Sequence, residues 1–233
     1  MILQIKEDIQ VAIEKDPAAR NFWEVLVCYP GVHALIAYRI GHFLWNLGLK
    51  FMGRVLSYFA RWVTGIEIHP AAKIGKRFFI DHGMGVVIGE TSEIGDNVFM
   101  YHGVTLGGLS MKKGKRHPTI GDNVMLGAGS QVLGPITVGK NTKIGSGSVV
   151  VEPVPEYSTV IGVPGRVVFS GVCADQEEGL QSFPDPMGQA IECMLEKLPQ
   201  MEREIRLLKE SGSKINNPSS ILKNQSMKKA SGN

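Results

Sequence analysis

Apolar residues follow three successive rhythms along this 233-residue chain. In the first part, Ile2, Ile5, Ile9, Ala12 and Ile13 recur at helical spacing, which predicts an amphipathic helix. Asp16-Pro17 reads as an N-cap followed by proline at the first helical position, restarting a helix through Phe22 to Cys28. Pro30-Gly31 breaks it. Two further helices are predicted from Val32 to Leu47 and from Leu49 to Val63, with Gly48 and Gly65 at their ends. Their apolar residues lie on more than one side, so they are expected to pack on the following segment or on a neighbouring subunit.

From Ile68 to Val150 the period changes to six. One run reads Ile68, Ile74, Ile80; a second reads Ile88, Ile94, Met100, Leu106; a third reads Ile120, Leu126, Val132, Val138, Ile144, Val150. Glycine often follows directly, as at Gly75, Gly89, Gly107 and Gly127. Neither a helix nor an ordinary strand has this spacing. A six-residue repeat belongs to a parallel β-helix, in which each unit lays down one short strand and turns a corner. Pro153, Pro155, Pro164 and Gly165 then close the solenoid. Last comes a heptad seam of Met187, Ile191, Met194, Leu198, Met201, Ile205 and Leu208, interrupted by Pro199. It predicts either a short oligomeric bundle or a helix folded back on its own subunit. The expected organisation is a helical region (1–65), a β-helix (66–170), a linker (171–186), a heptad-patterned helical segment (187–210) and a disordered tail (211–233).

The irregularities of the repeat point to the chemistry. Ile80 to Ile88 holds two extra residues, near Gly83-Met84-Gly85. Leu106 to Ile120 is too long for one strand and corner, so 107–119 is predicted to be a loop thrown out from the solenoid, polar, basic and carrying His117. His82 and His102 each lie two positions beyond an inward aliphatic residue, Ile80 and Met100, so they are expected at one corner on successive coils. Glu67 is expected on the coil beneath His82, where a carboxylate could hold one imidazole nitrogen and leave the other free to accept a proton.

Composition narrows the class. The chain is 43% hydrophobic with a net charge of +3, and its excess positive charge is concentrated in Lys112, Lys113, Lys115, Arg116 and the last residues, too local to argue for nucleic acid. Cys28, Cys173 and Cys193 suggest neither a disulfide framework nor a zinc pattern. The start has no apolar core of signal-peptide length, and no uninterrupted apolar run reaches the ~20 residues that span a bilayer. A cytoplasmic protein is expected, with neither nucleic acid nor membrane as partner.

Several stretches together resemble one family. They are Asp16-Pro17-Ala18, Gly31-Val32-His33-Ala34-Leu35, Tyr38-Arg39-Ile40-Gly41-His42, Ile68-His69-Pro70, Asp81-His82-Gly83, Gly89-Glu90-Thr91, Val104-Thr105-Leu106-Gly107-Gly108, Arg116-His117-Pro118 and Gly162-Val163-Pro164. Over roughly residues 16 to 168 the chain resembles the serine O-acetyltransferases of the hexapeptide-repeat acyltransferase superfamily. The resemblance implies a left-handed parallel β-helix and transfer of acetyl from acetyl-CoA to the L-serine hydroxyl, in the first step of cysteine biosynthesis. It implies His82 as general base, His117 beside the reacting hydroxyl or tetrahedral centre, Arg116 on the serine carboxylate, and Asp16 and Asp81 on the serine ammonium. Acetyl-CoA would meet Gly107, Gly108, Gly127 and Ala128, with Lys143 near its phosphates. No metal is implied. The active site would lie between neighbouring subunits of a homotrimer, and L-cysteine would compete at the serine site as a feedback inhibitor.

Three departures modify that picture. Glu67 stands where the family commonly has the aspartate that orients the catalytic histidine. The chain begins fifteen residues before Asp16, without the longer members' additional helical region, so a trimer is expected rather than a hexamer. It ends Ser231-Gly232-Asn233 rather than in the isoleucine that enters O-acetylserine sulfhydrylase, so that complex is not expected. Two rival readings share the solenoid. One is a zinc carbonic anhydrase with His82, His102 and His117 as ligands, disfavoured by spacing and by the Arg116-His117-Pro118 context. The other is a sugar or xenobiotic O-acetyltransferase, disfavoured by Asp16 and the N-terminal helices.

Overall fold

The structure, a computed structural model, describes residues 2–170 and, beyond them, Lys197, Pro199, Arg203 and Arg206. The chain divides into two units, 1–186 and 187–233. In the second, the four described residues are helical, and the Arg203 guanidinium donates to the Pro199 carbonyl one turn earlier (3.1 Å). The expected linker, the apolar heptad positions and the tail lie outside the described residues.

Four helices open the first unit: α1 (Ile2–Lys15), α2 (Phe22–Cys28), α3 (Pro30–Asn46) and α4 (Lys50–Thr64). The predicted cap of α2 is corrected. Asn21, not Asp16, caps it, accepting from the Glu24 amide at 3.0 Å. Asp16 instead turns its carboxylate to the Ala18 amide two residues on, at 2.8 Å, so the chain makes a turn there before α2 begins. Pro30 does not end structure but starts α3, where its fixed φ suits the first helical position. Gly65 ends α4 in the left-handed region, φ 71°.

Short strands of two to five residues then wind through three sheets. The first holds β1 (Glu67–Ile68), β4 (Val87–Ile88), β7 (Thr105–Gly107), β10 (Gln131–Leu133) and β13 (Val149–Val150). The second holds β2 (Lys73–Ile74), β5 (Glu93–Ile94), β8 (Thr119–Ile120) and β11 (Thr137–Val138). The third holds β3 (Phe79–Ile80), β6 (Phe99–Met100), β9 (Met125–Leu126), β12 (Lys143–Ile144) and β14 (Ser158–Ile161), with β15 (Arg166–Ser170) added antiparallel at its end. All other pairings are parallel. On the first sheet the register steps by 20 (67 to 87), 18 (87 to 105), 26 (105 to 131) and 18 (131 to 149) residues. A plain coil is therefore eighteen residues, and the two expected insertions of two and eight account for the longer steps.

The inward residues of each strand stack in files such as Ile80, Met100, Leu126, Ile144 and Val160, all buried. Each contributes about 1.5–3 kcal/mol of burial relative to exposure. At the open first coil, Ala34, Leu35 and Tyr38 of α3 join this same core, so α3 closes that end. Gly31 makes the approach possible, because a Cβ there would run into the Ile80 carbonyl. A second cluster packs α1, α2 and α3 onto the outward rings of Phe79 and Phe99. The buried pair Asp8–Arg39 ties α1 to α3, and Arg39 also donates to the Ile74 and Gly75 carbonyls.

The three edges of the prism differ. Between the second and third sheets, Asn97, Asn123 and Asn141 form a ladder of side-chain amides, 2.8 and 3.1 Å apart, each with positive φ. Between the third and first sheets the matching positions are Gly65, Gly85, Gly103, Gly129 and Gly147, all with positive φ. The edge between the first and second sheets carries the 108–118 loop.

Candidate active site

At the glycine edge the chain leaves β3 through Asp81-His82, and the two-residue insertion bulges outward. His82 has φ 59°, left-handed backbone that costs a non-glycine residue about 1 kcal/mol or more. Its side chain is 77% exposed, and its Nε2 lies 3.9 Å from the Asp81 carboxylate. His102 sits on the next coil, its ring edge-on to that of His82 with centroids 6.0 Å apart, as the register predicted. Asp16 arrives from the turn between α1 and α2. The Tyr29 hydroxyl donates to its Oδ2 (2.5 Å) while its Oδ1 takes the Ala18 amide, so the carboxylate is held from two sides. Burial pushes the Asp81 carboxyl above the usual carboxylate range; the nearby Asp16 adds to this, and His82 and His102 oppose it. Asp16, Asp81, His82 and His102 thus share one electrostatic neighbourhood.

The other predicted residues gather at the loop-bearing edge. Arg116 and His117 close the 108–118 loop as it returns to β8. Arg116 is paired with the Glu90 carboxylate. His117 is buried, its ring lying across Gly89, where a Cβ would collide with it. The Thr91 amide and hydroxyl both contact His117 Nδ1, at 3.2 and 2.9 Å. Burial holds the His117 pKa below that of a free imidazole, the Arg116 and Lys115 charges push the same way, and Glu90 opposes them. His69, on the coil beneath, is lowered to about 4 by burial and by Arg54. Its Nδ1 accepts from the Ala71 amide (3.0 Å), and its ring meets Trp45 edge-on.

His82 and His117 therefore occupy different edges of one subunit. The positions matched to the acetyl donor divide in the same way. Gly127 and Ala128 follow β9 at the glycine edge, whereas Gly107 ends β7 and Gly108 stands beside Arg116 and His117, and Lys143 points outward from the third sheet. Glu67 does not meet His82 in the subunit: its carboxylate is taken by Arg61 of α4, 2.7 Å away. The register sets Glu67 beneath Val87, five residues past His82, and the coil arithmetic carried no information about where α4 would dock. His33 and His42 bond the Leu26 and Pro70 carbonyls.

Comparison with known proteins decides the family. Residues 117–151 match the model described as bacterial transferase hexapeptide (six repeats). The chain is 53% identical over 203 residues to the serine acetyltransferase of Bacillus licheniformis, covering 87% of this chain and 94% of that one. The chain belongs to the serine acetyltransferase family. Among solved serine acetyltransferases, that of Neisseria gonorrhoeae in complex with serine superposes with a TM-score of 0.70 at 43% identity, over 72% of this chain and 69% of that one. One in complex with cysteine gives 0.70 at 45% identity, over 72% and 70%.

Membership in the serine acetyltransferases sets aside the carbonic anhydrase and the sugar or xenobiotic readings. The sequence reading overlooked three residues: Tyr29 behind Asp16, Glu90 behind Arg116, and Thr91 behind His117. The last two were accessible by register, because β5 and β8 pair at a step of 26, which places Glu90 under Arg116 and Thr91 under His117. Tyr29 left no such trace, since helix docking sets its position.

Proposed function

We propose that this chain is a cytoplasmic serine O-acetyltransferase, converting acetyl-CoA and L-serine into CoA and O-acetyl-L-serine. The observation that carries the reading is the convergence of Asp16, Asp81 and an unblocked His82 imidazole at one edge of a hexapeptide solenoid. Two carboxylates, one held by Tyr29, suit an ammonium group. His82 then takes the proton of the serine hydroxyl as that oxygen attacks the thioester carbonyl. The tetrahedral centre collapses with cleavage of the C–S bond, and the imidazolium returns its proton to the departing CoA sulfur. A thioester is already activated, so direct transfer between two bound substrates needs no covalent enzyme intermediate.

The remaining residues act from the loop-bearing edge, so the site is complete only when that edge of one subunit meets the glycine edge of another. A homotrimer of left-handed solenoids supplies three such clefts. Arg116 grips the serine carboxylate and His117 stabilises the charge that develops on the carbonyl oxygen. Acetyl-CoA lies along the cleft between Gly107-Gly108 and Gly127-Ala128, with Lys143 near its phosphates. The fit is favourable, because Cβ atoms added at Gly129 and Gly147 would meet nothing within 4 Å, leaving the glycine edge open to a long, thin ligand. L-cysteine, close in shape to serine, binds the same carboxylates and Arg116 and acts as feedback inhibitor.

A thiol-release assay with acetyl-CoA and a panel of hydroxyl acceptors tests the reading. Serine is expected to be the preferred acceptor, with competition by cysteine. Preference for a sugar hydroxyl would overturn it.

A further inference from the structure

Thr91 stands at the corner between β4 and β5 with every hydrogen-bonding capacity of its side chain engaged by the returning loop. Its Oγ1 accepts from the Arg116 amide at 3.0 Å and from the His117 amide at 3.1 Å. A hydroxyl has two acceptor positions and one proton. With both acceptor positions filled, the proton alone remains for the third neighbour, His117 Nδ1, at 2.9 Å. The Thr91 amide can only donate, and it points to the same nitrogen at 3.2 Å. Nδ1 therefore receives two donors and cannot itself carry hydrogen in the neutral ring. Turning the ring over would set its Cδ2–H against the Thr91 amide and hydroxyl and lose both bonds.

We infer that Thr91 is a positioning residue of the acetyl-transfer site, locking the Arg116-His117 pair to the solenoid and fixing the His117 proton on Nε2. The inference rests on the function proposed above and divides the labour between the two histidines. His82 is free to accept a proton. His117 presents a fixed N–H, so it donates to an oxygen that gains negative charge and does not act as the base. The charged groups around the ring suit a neutral donor. Arg116 and Lys115 on the loop disfavour a second proton, and burial does the same, while Glu90 alone favours it and is itself occupied by Arg116.

Nitrogen-15 NMR of the imidazoles in the full-length protein tests the assignment, with the His117 signals identified by their loss in His117→Gln. In the wild-type chain, His117 is expected as the Nε2–H tautomer, with a titration midpoint below that of a free imidazole. Thr91→Val keeps the shape and the amide but removes the hydroxyl, and it should raise that midpoint and lower kcat for serine acetylation about tenfold. Thr91→Ser, which restores the hydroxyl, should return both to within about threefold of wild type. A wild-type Nδ1–H tautomer would overturn the assignment, as would a Thr91→Val protein with the wild-type midpoint and rate. The tautomer is read on the unaltered chain, so the outcome stands even if Thr91→Val does not fold. If the tautomer and its dependence on Thr91 are found but serine is not acetylated, the lock stands and the proposed function fails.

Discussion

The Arg61 guanidinium holds the Glu67 carboxylate, with 2.7 Å between Nη1 and Oε2. Both groups are partly exposed, so the pair itself is worth little in stability. Its effect is on chemistry: the one carboxylate that the coil arithmetic places near His82 is already engaged. Glu67→Ala is therefore expected to lower turnover less than removal of His82 does, and to leave the Michaelis constant for serine nearly unchanged. Steady-state kinetics at saturating acetyl-CoA checks this, and a large rise in that constant would instead assign Glu67 to substrate binding.

His82→Ala should lower turnover by a factor of ~10² or more, the scale on which a general base contributes. Single-turnover acetylation of serine measures it directly. Near-normal rates would remove His82 from its role.

The same residue carries backbone strain, and stability reports on it separately from catalysis. At φ 59°, glycine is at ease and alanine is not. His82→Gly should be more stable than His82→Ala by about 1 kcal/mol, although both lack the imidazole. Thermal unfolding of the two variants decides; equal Tm values would mean that the bulge relaxes.

Lys15 offers a test at the other end of the site-bearing turn. Its ammonium is buried beside the Phe99 ring with no hydrogen-bond partner, and burial lowers its pKa to about 8. A lysine whose folded-state pKa is depressed costs stability in full below that value, and the cost fades as pH rises from about 8 toward the unfolded value of 10.5. Lys15→Met should raise stability at pH 7 by roughly 1 kcal/mol after allowance for solvent screening, with a smaller gain at about pH 10. Chemical denaturation at the two pH values measures the difference.

The solenoid was legible because its period is written in one residue type per six, and because insertions shift the register by whole residues. That is why the His82–His102 juxtaposition and the outward loop before His117 could be read directly. Contacts made by docking helices could not. Arg61 reaches Glu67, and Tyr29 reaches Asp16, through packing of α4 and α2, whose placement depends on side-chain shape rather than on periodicity. The cap of α2 failed for a related reason. Asp16 and Asn21 are both good capping residues, and only the Tyr29 hydroxyl and the Ala18 amide explain why Asp16 is engaged elsewhere.

The ladder of Asn97, Asn123 and Asn141 has a bearing on how such a molecule can lengthen. Each rung there repeats the one below, so duplication of a plain eighteen-residue coil would extend the stack and find its amide partners ready-made. Both insertions that carry chemistry interrupt the other two edges. Growth and shrinkage at the far end of the prism could thus proceed without moving an imidazole, which separates the history of its length from the history of its reaction.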